Sequence, residues 1–386
     1  MNCEKLYYND SFACRFEATV TDCFECKNGY AVILDRTLFY PEGGGQPCDK
    51  GSLCWIQGQT EIFDVREKDD CIYHYAKSSI PIGTKVCGEI DFERRFDLMQ
   101  QHTGEHIVSG IVHSLFGYDN VGFHLTEKDM SLDFSGVLSS EDIQRVISAA
   151  NDIIIKNQPI VADYPDVSNL EYRSKKALNG PIRIVRAGSA DICACCGTHL
   201  KTTGQVQMIA VKDSMKYKGG TRIFLGCGKR VYADYCAKTQ QCLDISHSLS
   251  AKTDEISSRV RDKISECENL KISLSALKDE LFDCWVSAIS CKSTGFISKD
   301  GLNGSELHRL CAKISEKCPT ACAVSRQSDG TGKFCIFSSV LDTNAVGKTI
   351  CQKLNGKGGG KPGTFQGTFT VIENAEQILE AALNAE

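Results

Sequence analysis

A chain of 386 residues with 42% hydrophobic and 24% charged residues has material for two or three domains, and its composition excludes a disordered or fibrous protein. A formal net charge of -5 excludes a surface coated all over with nucleic-acid-binding charge but leaves room for a local basic face. The first thirty residues hold no apolar stretch, no later run reaches membrane length, and the 22 cysteines read as reduced thiols, so the chain is expected to be cytoplasmic.

Residues 1 to about 90 alternate apolar and polar side chains in short runs, such as Phe16 to Val20 and Tyr30 to Leu34, separated by Asn, Asp and Gly. This predicts a small β-barrel or open sheet. Inside it, Thr37 to Pro47 places Gly43, Gly44 and Gly45 next to Gln46. Glycines let a backbone approach a ligand closely, and a glutamine both donates and accepts. From Arg94 to Phe116 the spacing of Leu98, His102, His106, Ile111 and Leu115 becomes helical, and Gly117 ends the run.

Residues 91–236 continue with a strand around Leu132 to Phe134, a helix from about Ser140 to Lys156, and strands at Arg183 to Arg186 and Gln205 to Val211. Without βαβ repetition this is an α+β pattern. Over 237–289 a long polar helix is predicted from about Gln240 to Ala288. In it Thr253, Val260, Cys267, Leu274 and Leu281 fall seven apart, as do Leu249, Ile256, Leu270 and Leu277, with Lys263 interrupting the second series. Such a seam suits a helical hairpin on its own domain or an intermolecular coiled coil. Residues 290–386 read as a small C-terminal α/β domain with a glycine-rich stretch, Gly356 to Gly363. Between 291 and 370, eleven Lys and Arg, from Lys292 to Lys361, stand against five Asp and Glu.

Two elements carry metal chemistry. His102 and His106, four apart on a helix, present two imidazoles on one face. About ninety residues later, Cys195 and His199 repeat that spacing and complete a tetrahedral set. Cys193 and Cys196 can also be read as a redox CxxC pair. A metalloprotease of the HExxH type is disfavoured, because Thr103 follows the first histidine and Glu105 projects about 100° of helix rotation from His106. The C-terminal glycine run is not a P-loop, since Asn355 holds the leading glycine position and Pro362 replaces the Ser or Thr.

Thr37 to Gly51, the His102-x3-His106 pair and the Cys195-x3-His199 pair, in that order, resemble the editing domain of alanyl-tRNA synthetase. More closely they resemble the free-standing alanyl-tRNA editing proteins of the AlaX type. Arg95, Gly122, Asp133, Phe134, Arg183 and Arg222 fit the same pattern, over about residues 5 to 236. The long helix and the stretch Gly358 to Gly367 look like that synthetase's C-terminal domain, as in the long AlaX form. One departure is Cys196, where the family has the first glycine of Cys-Gly-Gly-Thr-His. Cys195 keeps the gap to His199 and is the expected ligand, with Cys193 and Cys196 as alternatives.

The resemblance implies a barrel-like domain over 1–90, a zinc-containing editing domain over 91–236, a helical linker and a glycine-rich tRNA-binding or oligomerisation domain. It implies a zinc-dependent hydrolase that removes serine, with glycine as second candidate, from the alanine-specific tRNA. No class II aminoacylation domain precedes the barrel, so editing without charging is expected. Zinc would be held by His102, His106, Cys195 and His199, and either activates water or positions the substrate. Thr37 and Gln46 are the expected catalytic polar groups, since rewarding a hydroxyl discriminates better than fitting a methyl. Lys357, Gly358, Gly359, Gly360, Lys361, Phe365 and Gln366 are the expected tRNA contacts. A homodimer would form through the helical or C-terminal segment. The alternatives are a non-catalytic, zinc-stabilised tRNA-binding protein and an editor of another mischarged tRNA, as in the threonine system.

Overall fold

Alternating side chains in the first ninety residues give strands with one apolar face, and closing them into a cylinder buries all of those faces at once. The computed structural model describes residues 3–174, 181–291, 293–370 and 374–384, so Lys292 of the basic segment lies outside the described residues. The chain divides into two units, Met1–Asp244 and Ile245–Glu386.

The first unit opens with β1 (Glu4–Lys5), β2 (Arg15–Cys26), β3 (Gly29–Leu34), β4 (Arg36–Thr37), β5 (Gly51–Trp55), β6 (Gly58–Lys68), β7 (Cys71–Ala76) and β8 (Lys85–Ile90). Six of them close into a barrel in the order β2-β3-β7-β6-β5-β8. Closure depends on the two long strands. β2 pairs with β8 through Arg15–Thr19 and with β3 beyond Val20, and β6 divides itself in the same way between β5 and β7. Each shifts register at the changeover, after Val20 and after Ile62, and such bulges bend a strand around a barrel. Val20, Val32, Leu53, Ile62, Val65 and Ile72 fill the interior.

α1 (Phe92–Phe116) follows at once. Asp91 caps it by accepting from the Arg94 N–H, and Gly117, at φ 68°, ends it in the left-handed conformation. Around it lie β9 (Asn120–Leu125), β10 (Met130–Phe134), α2 (Ser140–Ile155), β11 (Ile160–Asp163), β12 (Ile184–Ala187), β13 (Asp191–Ala194), β14 (Ile209–Tyr217), β15 (Gly220–Cys227) and α3 (Lys229–Leu249). The strands form a four-stranded sheet, β14-β15-β10-β9, and a three-stranded one, β11-β12-β13, an α+β arrangement. Every residue of α1 from Leu98 to Val112 is buried, so its polar side chains need internal partners. Gln101, for one, exchanges two hydrogen bonds with the Cys227 backbone. The strand expected at Gln205 starts only at Ile209, because the Gln205 side chain turns back to accept from the Lys201 and Thr202 N–H groups and winds a 3-10 turn.

The expected single helix from Gln240 to Ala288 is two. α3 stops where Ser250 takes a φ of 50° and Ala251 and Ser250 donate back to the Ser246 and His247 carbonyls, a Schellman stop with serine in the usual glycine position. In the second unit α4 (Ile256–Ser287) is followed by β16 (Thr294–Ser298), α5 (Gly304–Ser315), β17 (Thr320–Arg326), β18 (Thr331–Ser338), α6 (Thr343–Lys353), β19 (Lys357–Lys361), β20 (Thr364–Thr370) and α7 (Ala375–Leu383). The sheet order is β16-β17-β18-β20-β19, with β16 and β17 parallel across α5 and β19 at an edge. One face of α4 packs on α5 through Phe282 and the pairs Asp279–Arg309 and Lys278–Glu306. Val260, Leu270, Leu274, Leu277 and Leu281 of the predicted seam are exposed. The described cysteines are free thiols, as expected, except that Cys291 and Cys318 form a disulfide, the β16–β17 connection bringing them together. Among the described residues no helix is long and apolar enough to cross a membrane.

A buried ion pair ties the barrel to the helix. Arg95, one turn into α1 and fully buried, donates from Nε to Asp49 Oδ1 at 2.8 Å, pairs through Nη2 with Asp49 Oδ2, and donates to the carbonyls of Leu38 at 2.7 Å and Ser11 at 3.0 Å. Asp49 Oδ2 also accepts from the Tyr40 N–H at 2.6 Å, so both ends of the glycine-rich loop hang on one ion pair. Removing one partner of a buried pair leaves the other charge stranded. Arg95→Ala should therefore lower the unfolding free energy by roughly 3–5 kcal/mol, measured as the shift of the urea denaturation midpoint.

Candidate metal centre

α1 places His102 and His106 one turn apart, and the segment after β13 brings Cys195 and His199 up to them. His102 Nε2 and His199 Nε2 lie 3.5 and 3.4 Å from Cys195 Sγ, and the four ligand atoms of His102, His106, Cys195 and His199 fall within 4.8 Å of one another. Sulfur at ~2.3 Å and nitrogen at ~2.05 Å from a tetrahedral ion stand ~3.5 Å apart, which is the spacing found. Of the alternative thiols, Cys193 is turned to His106 and Asp191, and Cys196 is exposed. Arg183, buried, holds the Cys195 segment in shape by donating from Nη1 to the carbonyls of Cys195 and Gly197, both at 2.9 Å.

Each imidazole is oriented through its far nitrogen. His102 Nδ1 donates to Gln46 Oε1 at 2.8 Å, and Gln46 Nε2 donates to Thr198 Oγ1 at 2.8 Å. His106 Nδ1 donates to Asp191 Oδ2 at 2.8 Å, and Arg173 grips the same carboxylate with two bonds of 2.7 and 2.8 Å. His199 Nδ1 faces Thr103 Oγ1 at 3.3 Å. Such partners fix the tautomer and leave Nε2 for a metal. Burial by itself would push the Cys195 thiol up, but the imidazoles of His102, His106 and His199 outweigh it and hold the thiol well below its ordinary value. That favours the thiolate, the form that binds metal. Burial likewise opposes ionisation of Asp191, yet its bonds to His106 and Arg173 keep its carboxyl below the usual range.

Two glycines permit this convergence. A Cβ on Gly110 would stand 2.1 Å from the Ala190 carbonyl, so only glycine lets the turn carrying Asp191 close on α1. Gly45, at φ +85°, lies where a Cβ would be 2.7 Å from the Phe123 ring, and Phe123 in turn covers His102 at a centroid distance of 5.2 Å.

Gln46 thus reaches the ligands and Thr37 does not. Thr37 faces the barrel interior, where its hydroxyl donates to His74 Nε2 at 2.8 Å and accepts from the Phe39 N–H at 3.0 Å. Glu105 departs from expectation in the opposite direction: its Oε2 is 3.7 Å from His106 Nε2. Asp191, Thr103, Thr198 and Glu105 escape sequence reasoning because no spacing links them to the ligands, although Thr103 and Glu105 lie inside the His102–His106 segment itself. In the second unit, Lys357 to Lys361 form the exposed edge strand β19, and Gln366 is exposed. Phe365 is 1% exposed and packs on Phe334 in the core, because alternation along β20 turns it inward, so the expected RNA contact by Phe365 is replaced by a structural role.

Three family models match the chain: tRNA synthetases class II (A) over residues 4–94, the threonyl and alanyl tRNA synthetase second additional domain over 182–224, and the DHHA1 domain over 286–385. The chain is 27% identical to the alanyl-tRNA editing protein AlaX-L of Pyrococcus horikoshii, covering 98% of this chain and 97% of that one. It is also 27% identical to the alanyl-tRNA editing protein Aarsd1 of Mus musculus, covering 97% of each. Similarity extends to the alanine–tRNA ligase of Methanoregula boonei, at 29% identity over 99% of this chain but only 43% of that enzyme, so the chain spans less than half of the ligase.

Removing an orienting partner typically weakens metal binding 10- to 100-fold. Gln46→Ala should show a loss of that size in a chelator competition titration with the ligands intact. A second expectation concerns the barrel. Burial pushes His74 from its ordinary 6.5 down to about 4, so it is neutral in the folded protein while the unfolded chain takes up a proton below 6.5. Its contribution is complete above 6.5 and falls away as pH drops toward 4, in total about 3 kcal/mol. Urea denaturation between pH 7 and 4.5 should show a shallower decline for His74→Gln than for the unsubstituted protein.

Proposed function

We propose that this chain is an alanyl-tRNA editing protein of the long AlaX type, a trans-acting hydrolase that deacylates alanine tRNA carrying serine, with glycine as the second candidate. The observation that carries this reading is the convergence of three imidazoles and one thiolate, each held by its own partner, beside the glycine-rich loop of the barrel.

The donor set, three nitrogens and a sulfur at tetrahedral spacing, suits zinc. Zinc bound there would polarise an ester carbonyl or lower the pKa of a water molecule. The chain's own groups do the rest. Gln46, through His102, and Asp191, through His106, keep the imidazoles in one tautomer and one orientation. Phe123 covers His102 and the Gly43–Gly45 loop packs against Phe123, with Gly45 making their close approach possible. Thr37 and Gln46 act as positioning groups, Thr37 by tying the start of the glycine-rich loop to His74. A hydroxyl-bearing serine side chain is rewarded over the methyl of alanine by polar contacts, the stronger of the two means of discrimination.

The exposed edge β19, with Lys357 and Lys361 flanking three glycines, supports a grip on tRNA phosphates by side chains and free backbone N–H groups. The exposed leucines of α4 support association with a second copy along that helix.

The deciding experiment compares seryl, glycyl and alanyl esters of one alanine tRNA, with and without chelator. The expected outcome is one zinc per chain, hydrolysis of the seryl ester at least about 100-fold faster than the alanyl ester, and loss of hydrolysis with the metal in His102→Ala. A metal-replete protein that binds the tRNA but cleaves none of the esters would favour the non-catalytic reading. Lys357→Ala combined with Lys361→Ala should reduce the salt slope of tRNA binding by about 2 and leave cleavage of a short acceptor mimic unchanged.

A further inference from the structure

The four candidate ligands are not equally enclosed. His102, His106 and His199 are 2%, 2% and 4% exposed, whereas Cys195 is half-buried and Cys196, next to it, is exposed. Phe123 covers His102. An ester therefore reaches the cluster from the Cys195–Cys196 side, and the groups that stand there meet the rest of the substrate.

Strand register shows which groups those are. In the three-stranded sheet Asp163 pairs with Ile184, and Ile184 with Ala194. One step further along the same row stand Tyr164, Arg183 and Cys195, with the Cys195 N–H donating to the Arg183 carbonyl at 3.1 Å. Side chains in such a row share a face of the sheet. Strands lie about 4.8 Å apart, which puts the Tyr164 backbone roughly 10 Å from that of Cys195. Arg183, in the middle position, is clamped to the ligand segment by its bonds to the Cys195 and Gly197 carbonyls. Its guanidinium lies over the Tyr8 ring, 4.9 Å from the centroid, and Tyr7 meets that ring at a steep angle with centroids 4.6 Å apart. Tyr8 is thus held in place yet only half-buried, within hydrogen-bonding reach of the Cys196 thiol. Tyr164 is 57% exposed. Two aromatic rings therefore flank Arg183 on the open side of the ligand cluster.

An RNA that presents an aminoacyl ester at its 3′ end also presents the base of the same nucleotide, separated from the ester by the ribose alone. Unpaired bases are held by stacking on tyrosine rings and on arginine planes, a contact open to any base because every base has a π-face. The corner formed by Tyr8, Arg183 and Tyr164 stands from the ligands at about the reach of one nucleoside.

We propose that Tyr8 and Tyr164 seat the terminal adenine of the acylated RNA, so that the stacked base aligns the ribose ester with the ligand cluster. This rests on the deacylase reading above and narrows its substrate class: the site takes aminoacyl esters of a nucleoside and discriminates against the same ester on a sugar that carries no base. A purely structural role for the two rings predicts no such selectivity.

The test uses the full, metal-loaded chain and two non-hydrolysable analogues read by calorimetry, 3′-seryl-amido-3′-deoxyadenosine and the same seryl amide on the base-free sugar. Stacking should make the adenosine analogue bind about 5- to 150-fold more tightly than the base-free one. Tyr164→Ala, at an exposed position, should reduce that preference at least about 5-fold at unchanged metal content, and Tyr8→Ala should do the same. Tyr164→Phe and Tyr8→Phe keep the ring and should keep the preference. Equal binding of the two analogues by the unsubstituted protein, or binding of neither, overturns the proposal. A Tyr164→Ala protein with its preference intact overturns it too, whether or not Tyr8→Ala folds, as does an equal loss of both analogues in either alanine variant. Adenine preference together with cleavage of no ester would instead count against the deacylase reading alone.

Discussion

A guanidinium with no exposure to water holds the barrel to the helix. Arg95 meets a carboxylate and two carbonyls, and the carboxylate belongs to the end of the glycine-rich loop whose start supplies one of the carbonyls. Charges buried this deeply are tolerated only when every donor and acceptor is used. The pair consequently permits one arrangement of loop against helix. In that arrangement Gln46 arrives at His102, two turns along α1 from Arg95. The candidate metal centre inherits its geometry from this junction.

The centre itself follows the same logic at smaller scale. Three imidazoles packed around a thiol would be poorly defined if their rings could turn, and each is prevented from turning by a bond at Nδ1 to a group from a different part of the chain: Gln46 of the barrel, Asp191 of β13, Thr103 of α1. Arg173 and Arg183 then fix the Asp191 carboxylate and the Cys195 backbone. Leu98, Met99, Ile107, Val108, Ile111 and Val112 give α1 its apolar side, and the buried polar side chains of its other face depend on partners outside the helix. Glu105 belongs to this network, with strand β9 as its external support.

The second unit uses different means. Its sheet places a glycine-rich strand at an edge, where unpaired backbone groups and flanking lysines face outward, while the aromatic side chains of β18 and β20 stack beneath in the core. Gly347 and Gly358 serve that core as well, since a Cβ on either would collide with the Phe365 ring. Some of the glycines that give the segment its composition are therefore required by packing.

The grouping of His102, His106, Cys195 and His199 was legible in the sequence because a spacing of four is a statement about one helix turn or one tight loop, and both pairs obey it. The alternation of the first ninety residues and the run from Arg94 to Phe116 declared a sheet and a helix for the same reason, local periodicity. The stop at Ser250 was not legible, since serine does not announce a left-handed residue as glycine does. Nor was the disulfide, which depends on where the β16–β17 connection brings Cys318. The roles of Thr37, Phe365 and Glu105 were decided by tertiary structure alone. Thr37 turned into the barrel toward His74, and Phe365 turned into the core because its strand has one buried face. Glu105 turned toward the ligands because Asn120, fifteen residues away on a different element, holds its other oxygen. Local sequence fixes which residues share a turn or a strand, whereas the direction of a buried polar side chain is set by partners that only the packing of distant segments supplies.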